Sequence, residues 1–366
     1  MMSSTPSTRS SPHTGSEPDW EAVSGRLIGP VLFVTHGGRN IGLGHVRRCL
    51  SLAGALKKRS VECEFLLGAD QGVADTVSGS GFVCRQGKGD ANDVVERIRE
   101  LTPAVVVADS YAFTSDYFRQ LAGAGRPVVA IDDLENQPLP VAMVVNSRAG
   151  VGPDDYDRHV TPQTRLLLGP AYALLRPEFA DNPGRTIPPQ ARGVLLTLGG
   201  SDNTNLMPRL LRWVAAELGW VDLAVVLGPL FDNRQEIAAT AAAIGSRAAL
   251  HEQPGDVRAL MLGADIAVSG GGQTLYELAA TATPTVGIQL AENQTGNLSA
   301  FESSGVLTWA GDVQYQDLEA AVRTRVRHLA ENPQERAAMA AAGRKLVDGR
   351  GAERVAAAVM ELAGTE

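Results

Sequence analysis

Short apolar runs separated by helix-patterned segments recur along the 366 residues of this chain. The first, VLFVT at 31–35, gives way to glycines and then to Val46, Cys49, Leu50, Ala53 and Leu56. Those positions share one helix face. Further strand-like runs stand at 63–67, 105–108, 128–131, 143–145 and 166–168. Runs such as VVVA lack the alternation of a half-exposed strand. They predict strands covered on both faces, as in a parallel sheet flanked by helices.

The pattern breaks at 176–192, RPEFADNPGRTIPPQAR, where four prolines mark a linker. It restarts with runs at 194–198, 223–228, 266–269 and 285–288. From about residue 315 an Ala-, Arg- and Glu-rich tail keeps helical periodicity to Leu362. The expected architecture is α/β, with two Rossmann-like doubly wound domains at 28–178 and 193–366, joined by a linker at 179–192. The second carries C-terminal helices. In such sheets ligands gather at the carboxyl ends of the strands, so the chemistry is sought in the loops that follow them.

Composition narrows the partners. A formal net charge of -8 argues against nucleic acid or an anionic membrane as the main partner. Three cysteines, Cys49, Cys63 and Cys84, make neither a disulfide framework nor a CxxC metal motif, which suits a reducing, cytoplasmic setting. No apolar run approaches the roughly 18–20 residues of a membrane span. Residues 1–27, rich in Ser, Thr and Pro, read as a disordered arm without the apolar stretch of a signal peptide.

Four strand-end loops carry candidate chemistry. THGGRNIGLGH at 35–45 places Gly42 and Gly44 before His45, near the first turn of a helix. Free N–H groups there favour an anionic ligand and a neutral imidazole. On the residues alone, His45 as helix cap and His45 as general base are equally open. LGGSDNTNL at 198–206 offers Gly200, Ser201 and Asp202, which suit phosphate oxygens or a helix cap. SGGGQTLYELA sets Ser269, Gly270, Gly271 and Gly272 ahead of Gln273, Thr274 and Glu277. Three consecutive glycines exceed what a turn needs, so bare amides for a diphosphate are the favoured reading, with Glu277 accepting from ribose hydroxyls. Asn293 and Gln294 follow the next strand, as Asp109, Ser110, Tyr111, Asp132 and Asp133 follow strands of the first half. The other histidines lack such surroundings.

Taken in order, IGLGHVRRCLSLAGAL, VVVADSYAF, AIDD, LLLGPAYALLRPEF, LLTLGGSDNTNL and VSGGGQTLYELAATATPTVGIQLAENQ resemble the nucleotide-sugar hydrolases of pseudaminic acid biosynthesis. That family is similar to the GT-B glycosyltransferases, and the likeness covers about residues 30–300. It implies cleavage of a UDP-activated amino- or deoxy-sugar such as UDP-2,4-diacetamido-2,4,6-trideoxy-β-L-altropyranose, without a metal or other cofactor. His45 would activate water at the anomeric carbon. Gly42, Gly44, Arg48, Tyr111, Asn293 and Gln294 would line the substrate on the first, sugar-side domain and its facing loop. Gly200, Ser201, Asp202, Ser269–Thr274 and Glu277 would hold the nucleotide.

One departure stands out. Where the family has an Arg-x-Asp pattern, this chain has Val34-Thr35-His36, so a different sugar is expected. A glycosyltransferase using the same donor is the alternative, and a non-catalytic binding protein a third. No basic or apolar amphipathic stretch follows residue 56, which favours water or a small acceptor.

Overall fold

The computed structural model describes residues 27–364 apart from Arg39, Asn40 and Asp70. The arm expected at 1–27 lies almost wholly outside the described residues. The first half runs β1 (Val31–Gly37), α1 (Gly44–Lys58), β2 (Cys63–Ala69), α2 (Gln71–Gly79), β3 (Val83–Gln86) and α3 (Ala91–Leu101). It continues with β4 (Val105–Asp109), α4 (Ser115–Ala122), β5 (Val128–Ile131), β6 (Met143–Asn146) and β7 (Arg165–Leu168). The second half opens with β8 (Gly193–Thr197), α5 (Met207–Glu217), β9 (Asp222–Leu227), α6 (Arg234–Ile244), β10 (Ala248–Glu252) and α7 (Val257–Gly263). Then come β11 (Ile266–Gly270), α8 (Thr274–Ala280), β12 (Thr285–Gln289), α9 (Thr295–Ser303) and β13 (Leu307–Asp312). Three helices close the chain: α10 (Leu318–Glu331), α11 (Pro333–Leu346) and α12 (Gly351–Ala363).

The strands form two parallel sheets, ordered β3-β2-β1-β4-β5-β6-β7 and β10-β9-β8-β11-β12-β13. Strands β4, β5 and β6 are buried at every residue, because helices cover both faces. The three strands that sequence patterning leaves out, β3, β10 and β13, are all sheet edges. An edge strand is buried less and lacks a continuous apolar run; β3 has no fully buried residue.

Each sheet reverses its strand order beside its first strand, between β1 and β4 and between β8 and β11. A crevice opens at such a switch point, at the carboxyl ends of the two strands. At the first one, Gly37 lets α1 pack tightly, since a Cβ there would lie 2.7 Å from Val46 Cγ2. Gly42, at φ +82°, closes the intervening loop by a two-bond bridge to Gly38.

Sequence continuity puts α12 with the second half, but its apolar face packs in the core of the first. Val355, Val359 and Met360 are fully buried there, beside Val31, Phe33 and Leu52. Each such side chain contributes about 1.5–3 kcal/mol of burial. The helix enters at Gly351, where a Cβ would lie 2.3 Å from Ala173 O.

Gly351→Ala is therefore expected to destabilise the protein by ~1–3 kcal/mol through overpacking at the crossing. Gly54→Ala, inside α1 with open space around its Cβ position, is expected to stabilise it by ~0.5–1 kcal/mol. Urea denaturation of both variants checks the pair.

Candidate active site

The switch point of the first sheet brings together the end of β4 and the start of α1. Asp109, the last residue of β4, is completely buried. Thr35 Oγ1, on β1, donates to its carbonyl at 2.9 Å and ties the two strand ends together. On α1, His45 and Arg48 stand one turn apart and both turn inward. His45 Nδ1 lies 2.7 Å from Asp109 Oδ1. Arg48 donates through Nη2 to Oδ1 at 2.6 Å and through Nε to Oδ2 at 2.5 Å. The Cys49 thiol, 3.7 Å from Oδ2, completes the surroundings.

The electrostatics follow from this packing. Burial acts to raise the Asp109 carboxyl, but the Arg48 guanidinium and then His45 overcome it and hold the group well below the ordinary carboxylate range. Asp109 is thus ionised and can only accept. In neutral His45 the shared proton sits on Nδ1, which leaves the Nε2 lone pair free. Arg48 Nη2 is also 3.1 Å from His45 Nδ1, but its hydrogen is directed to Asp109 Oδ1. Among the described residues, Nε2 of His45 has no hydrogen-bond partner.

A second layer lies above this pair. Arg48 Nη1 reaches Asp133 Oδ2 at 2.7 Å, beyond the end of β5. The Tyr111 hydroxyl donates to the same oxygen at 3.1 Å, and its ring meets the His45 ring edge-on at 4.5 Å between centroids. Asn293 Nδ2, from the loop after β12, approaches the Tyr111 hydroxyl at 3.5 Å. The two halves therefore meet over His45. Asp109 and Asp133 attract notice in the sequence only as acids at strand ends; their roles depend on parallel pairing that no local pattern encodes.

His36 does not take up the place of an acid in the crevice. Its Nδ1 bonds Ser110 Oγ at 2.8 Å and its ring tilts against Phe113. Gly68 and Gly89 make room for the ring, since a Cβ on either would lie 2.7 Å from Nε2. Burial, and then the nearby His45, press its pKa below the ordinary histidine value. Ser110, its partner, directly precedes Tyr111 in the chain.

In the second half the loops after β8 and β11 lie at the other switch point. Their polar groups are more committed than their spacing suggests. Asp202 accepts from the amides of Leu206 and Met207 at 2.9 and 2.8 Å and so secures the start of α5. Gln294 Oε1 accepts from Gly271 N at 3.0 Å and Leu290 N at 2.9 Å, which shapes the glycine loop. A Cβ on Gly270 or Gly271 would come within 2.6 Å of Leu290 Cδ1 or 2.8 Å of Leu298 Cγ, so close packing requires both glycines. The bare-amide expectation is thus reduced to Gly272 and the residues after it. Gln273 Nε2 donates to Leu174 O at 3.2 Å, and the Gly200 carbonyl accepts from Leu230 N at 3.0 Å. Ser269 is fully buried, Ser201 and Thr274 half-buried, and Gly44 opens to solvent at the start of α1.

Glu277, in the first turn of α8, keeps 18% of its side chain exposed. Burial raises its carboxyl above the ordinary value, against the pull of Arg176 and Arg47. Among the described residues no group of three or more His, Cys, Asp or Glu side chains could hold a metal ion, and no helix is long and apolar enough to cross a membrane.

No family model matches the chain. Three relatives do. An uncharacterized protein of Methanocaldococcus jannaschii is 26% identical over 266 residues, 70% of this chain and 54% of the relative. The spore coat polysaccharide biosynthesis protein SpsG of Bacillus subtilis is 28% identical over 207 residues, 56% and 60% of the two chains. The pseudaminic acid cytidylyltransferase and UDP-2,4-diacetamido-2,4,6-trideoxy-beta-L-altropyranose hydrolase of Helicobacter pylori is 25% identical over 267 residues, 72% and 45% of the two. The chain thus spans about half the length of the curated relatives it matches.

Solved structures agree on the architecture. MurG of Acinetobacter baumannii matches with a TM-score of 0.64 at 14% identity, covering 91% of this chain and 99% of that one. The calicheamicin glycosyltransferase CalG4 gives 0.64 at 15% identity over 93% and 98%. LpCGTa, solved in complex with UDP, gives 0.64 at 15% identity over 91% and 99%. The fold is GT-B-like, with two doubly wound parallel-sheet domains.

Neighbouring arginines on α1 should respond oppositely to truncation. Arg48→Ala leaves the Asp109 carboxylate buried without its guanidinium partner and is expected to cost ~3–5 kcal/mol. Arg47→Ala, at an exposed position with no bonded partner among the described residues, is expected to stay within ~0.5 kcal/mol. Thermal and urea melts of the two variants compare them directly.

Proposed function

We propose that this protein cleaves a UDP-activated amino- or deoxy-sugar, with water attacking the anomeric carbon. The observation that carries the reading is the His45–Asp109 pair at the first switch point, with an imidazole nitrogen left free under Tyr111 and Asn293. The names of the Helicobacter and Bacillus relatives support a role in sugar biosynthesis, and the similar fold solved in complex with UDP supports a uridine nucleotide as ligand.

On this reading His45 Nε2 takes a proton from water as its oxygen forms a bond to C1. The C1–O bond to the diphosphate breaks, and its electron pair leaves with UDP. Asp109 stabilises the imidazolium formed, as a buried carboxylate does when it orients a catalytic histidine. Arg48 holds Asp109 and Asp133 in place, and Asp133 holds Tyr111. Glu277 accepts hydrogen bonds from the ribose hydroxyls, while Tyr111 and Asn293 flank the sugar. The names of glycosyltransferase neighbours raise a second reading, in which an acceptor hydroxyl replaces water at the same base.

Purified protein is expected to release UDP over many turnovers from a matching UDP-sugar without any acceptor. His45→Ala should lower that rate by roughly 10²–10⁴ and Asp109→Asn by a comparable factor. In H₂¹⁸O the label should enter the sugar and not UDP. Tight binding with no turnover would replace hydrolysis by transfer to an acceptor; label in UDP would move the attack to phosphorus.

Glu277 gives a prediction with a definite sign. A carboxyl raised on folding destabilises the folded state at pH values above its folded pKa, and the penalty disappears below its unfolded value. Glu277→Gln should therefore raise the melting temperature of the free protein at neutral pH. The gain should vanish below about pH 4, where both forms are neutral, and the variant should bind UDP more weakly. Melts at pH 7.5 and pH 4, with UDP titrations at pH 7.5, test it.

A further inference from the structure

The diphosphate of a nucleotide sugar bound as above must run from the ribose at Glu277 to the anomeric carbon at His45. Whatever holds it lies between those residues. The glycine loop offers less than its spacing suggests, because the Gly271 amide is given to Gln294 and the Gly270 and Gly271 positions are packed against Leu290 and Leu298. The cations nearest the path are mostly engaged. Arg48 is bonded to Asp109 and Asp133, and Arg176 pairs with Glu178 at 2.9 Å and stands 3.9 Å from Glu277.

Arg47 differs from both. It stands in the first turn of α1, two residues after His45, and its side chain is exposed. Among the described residues its guanidinium makes no hydrogen bond or ion pair. Helix α1 packs against the turn Pro177–Ala180, which follows Arg176. The strongest charged neighbours of Arg47 are Glu277 and Arg176, and Glu277 in turn feels Arg47. An arginine without a partner presents two parallel N–H groups, which match a pair of phosphate oxygens.

We infer that Arg47 is the cation that binds the diphosphate of the nucleotide sugar, and so carries the charge that builds on UDP as the C1–O bond breaks. This assignment rests on the UDP-sugar reading of the site. Glu277 and Arg47 then divide the nucleotide between them, the carboxylate taking the ribose and the guanidinium the diphosphate. On this division Glu277 and Arg47 feel each other's charge but serve different parts of the ligand, and they form no bonded pair among the described residues.

Calorimetric titrations of wild type, Arg47→Gln and Arg47→Lys with UDP and with uridine test the assignment. Loss of a charged hydrogen-bonding pair should weaken UDP binding by roughly tenfold or more in Arg47→Gln, with uridine affinity kept within about twofold. Arg47→Lys should fall between, since it keeps the charge and loses the fork. Unchanged UDP affinity in Arg47→Gln overturns the assignment, and so does an equal loss for UDP and uridine, which would mark a general disturbance of the site. Failure of the wild type to bind either compound overturns the nucleotide reading itself, before any variant is compared.

Discussion

Asp109 is a carboxylate without access to solvent, and much of the first half is organised around supplying it with donors. An unpaired charge at that depth would cost several kcal/mol. Three N–H groups and a thiol answer it, and all four come from one face of α1. That requirement fixes the rotation of α1 over the sheet and its approach to β1, which Gly37 permits. It also fixes His45. The residue proposed for the chemistry is therefore held by the same charge that the fold must neutralise, so stability and site geometry share one interaction.

The second half works with less charge and more packing. Its glycine-rich loop is shaped by leucine side chains and by the Gln294 amide, and Asp202 is spent on the start of α5. What remains for a ligand is sparse: the amides beyond Gly271 and the partly exposed Glu277. On the assignment inferred above, Arg47 comes from the other half, so neither half would hold a nucleotide sugar unaided. Hydrogen bonds that join the halves, Tyr111 with Asn293 and Gln273 with Leu174, lie beside that path.

Sequence patterning gives the two parallel-sheet units and every strand buried on both faces, because continuous apolar runs are a direct consequence of double coverage. It misses β3, β10 and β13, where one edge faces solvent and the run is lost. It does not place α12, since an amphipathic helix records that it has an apolar face and not which core receives it. Of the residues that loop position singles out, the structure brings His45, Tyr111 and Asn293 together. The partners of Asp109 are not legible in the sequence, because they depend on β1 and β4 being neighbours across 74 residues of chain. Gly270 and Gly271 show the opposite error: a glycine kept for close packing looks in sequence like one kept for a ligand.

The central claim is that Asp109 fixes His45 with its proton on Nδ1 and leaves Nε2 as the base. The ¹⁵N and ¹H correlations of the His45 ring, assigned by comparison with His45→Gln, measure this directly at neutral pH. The account predicts an Nδ1–H imidazole whose tautomer preference is lost in Asp109→Asn. A ring protonated on Nε2 in the wild-type protein would contradict it.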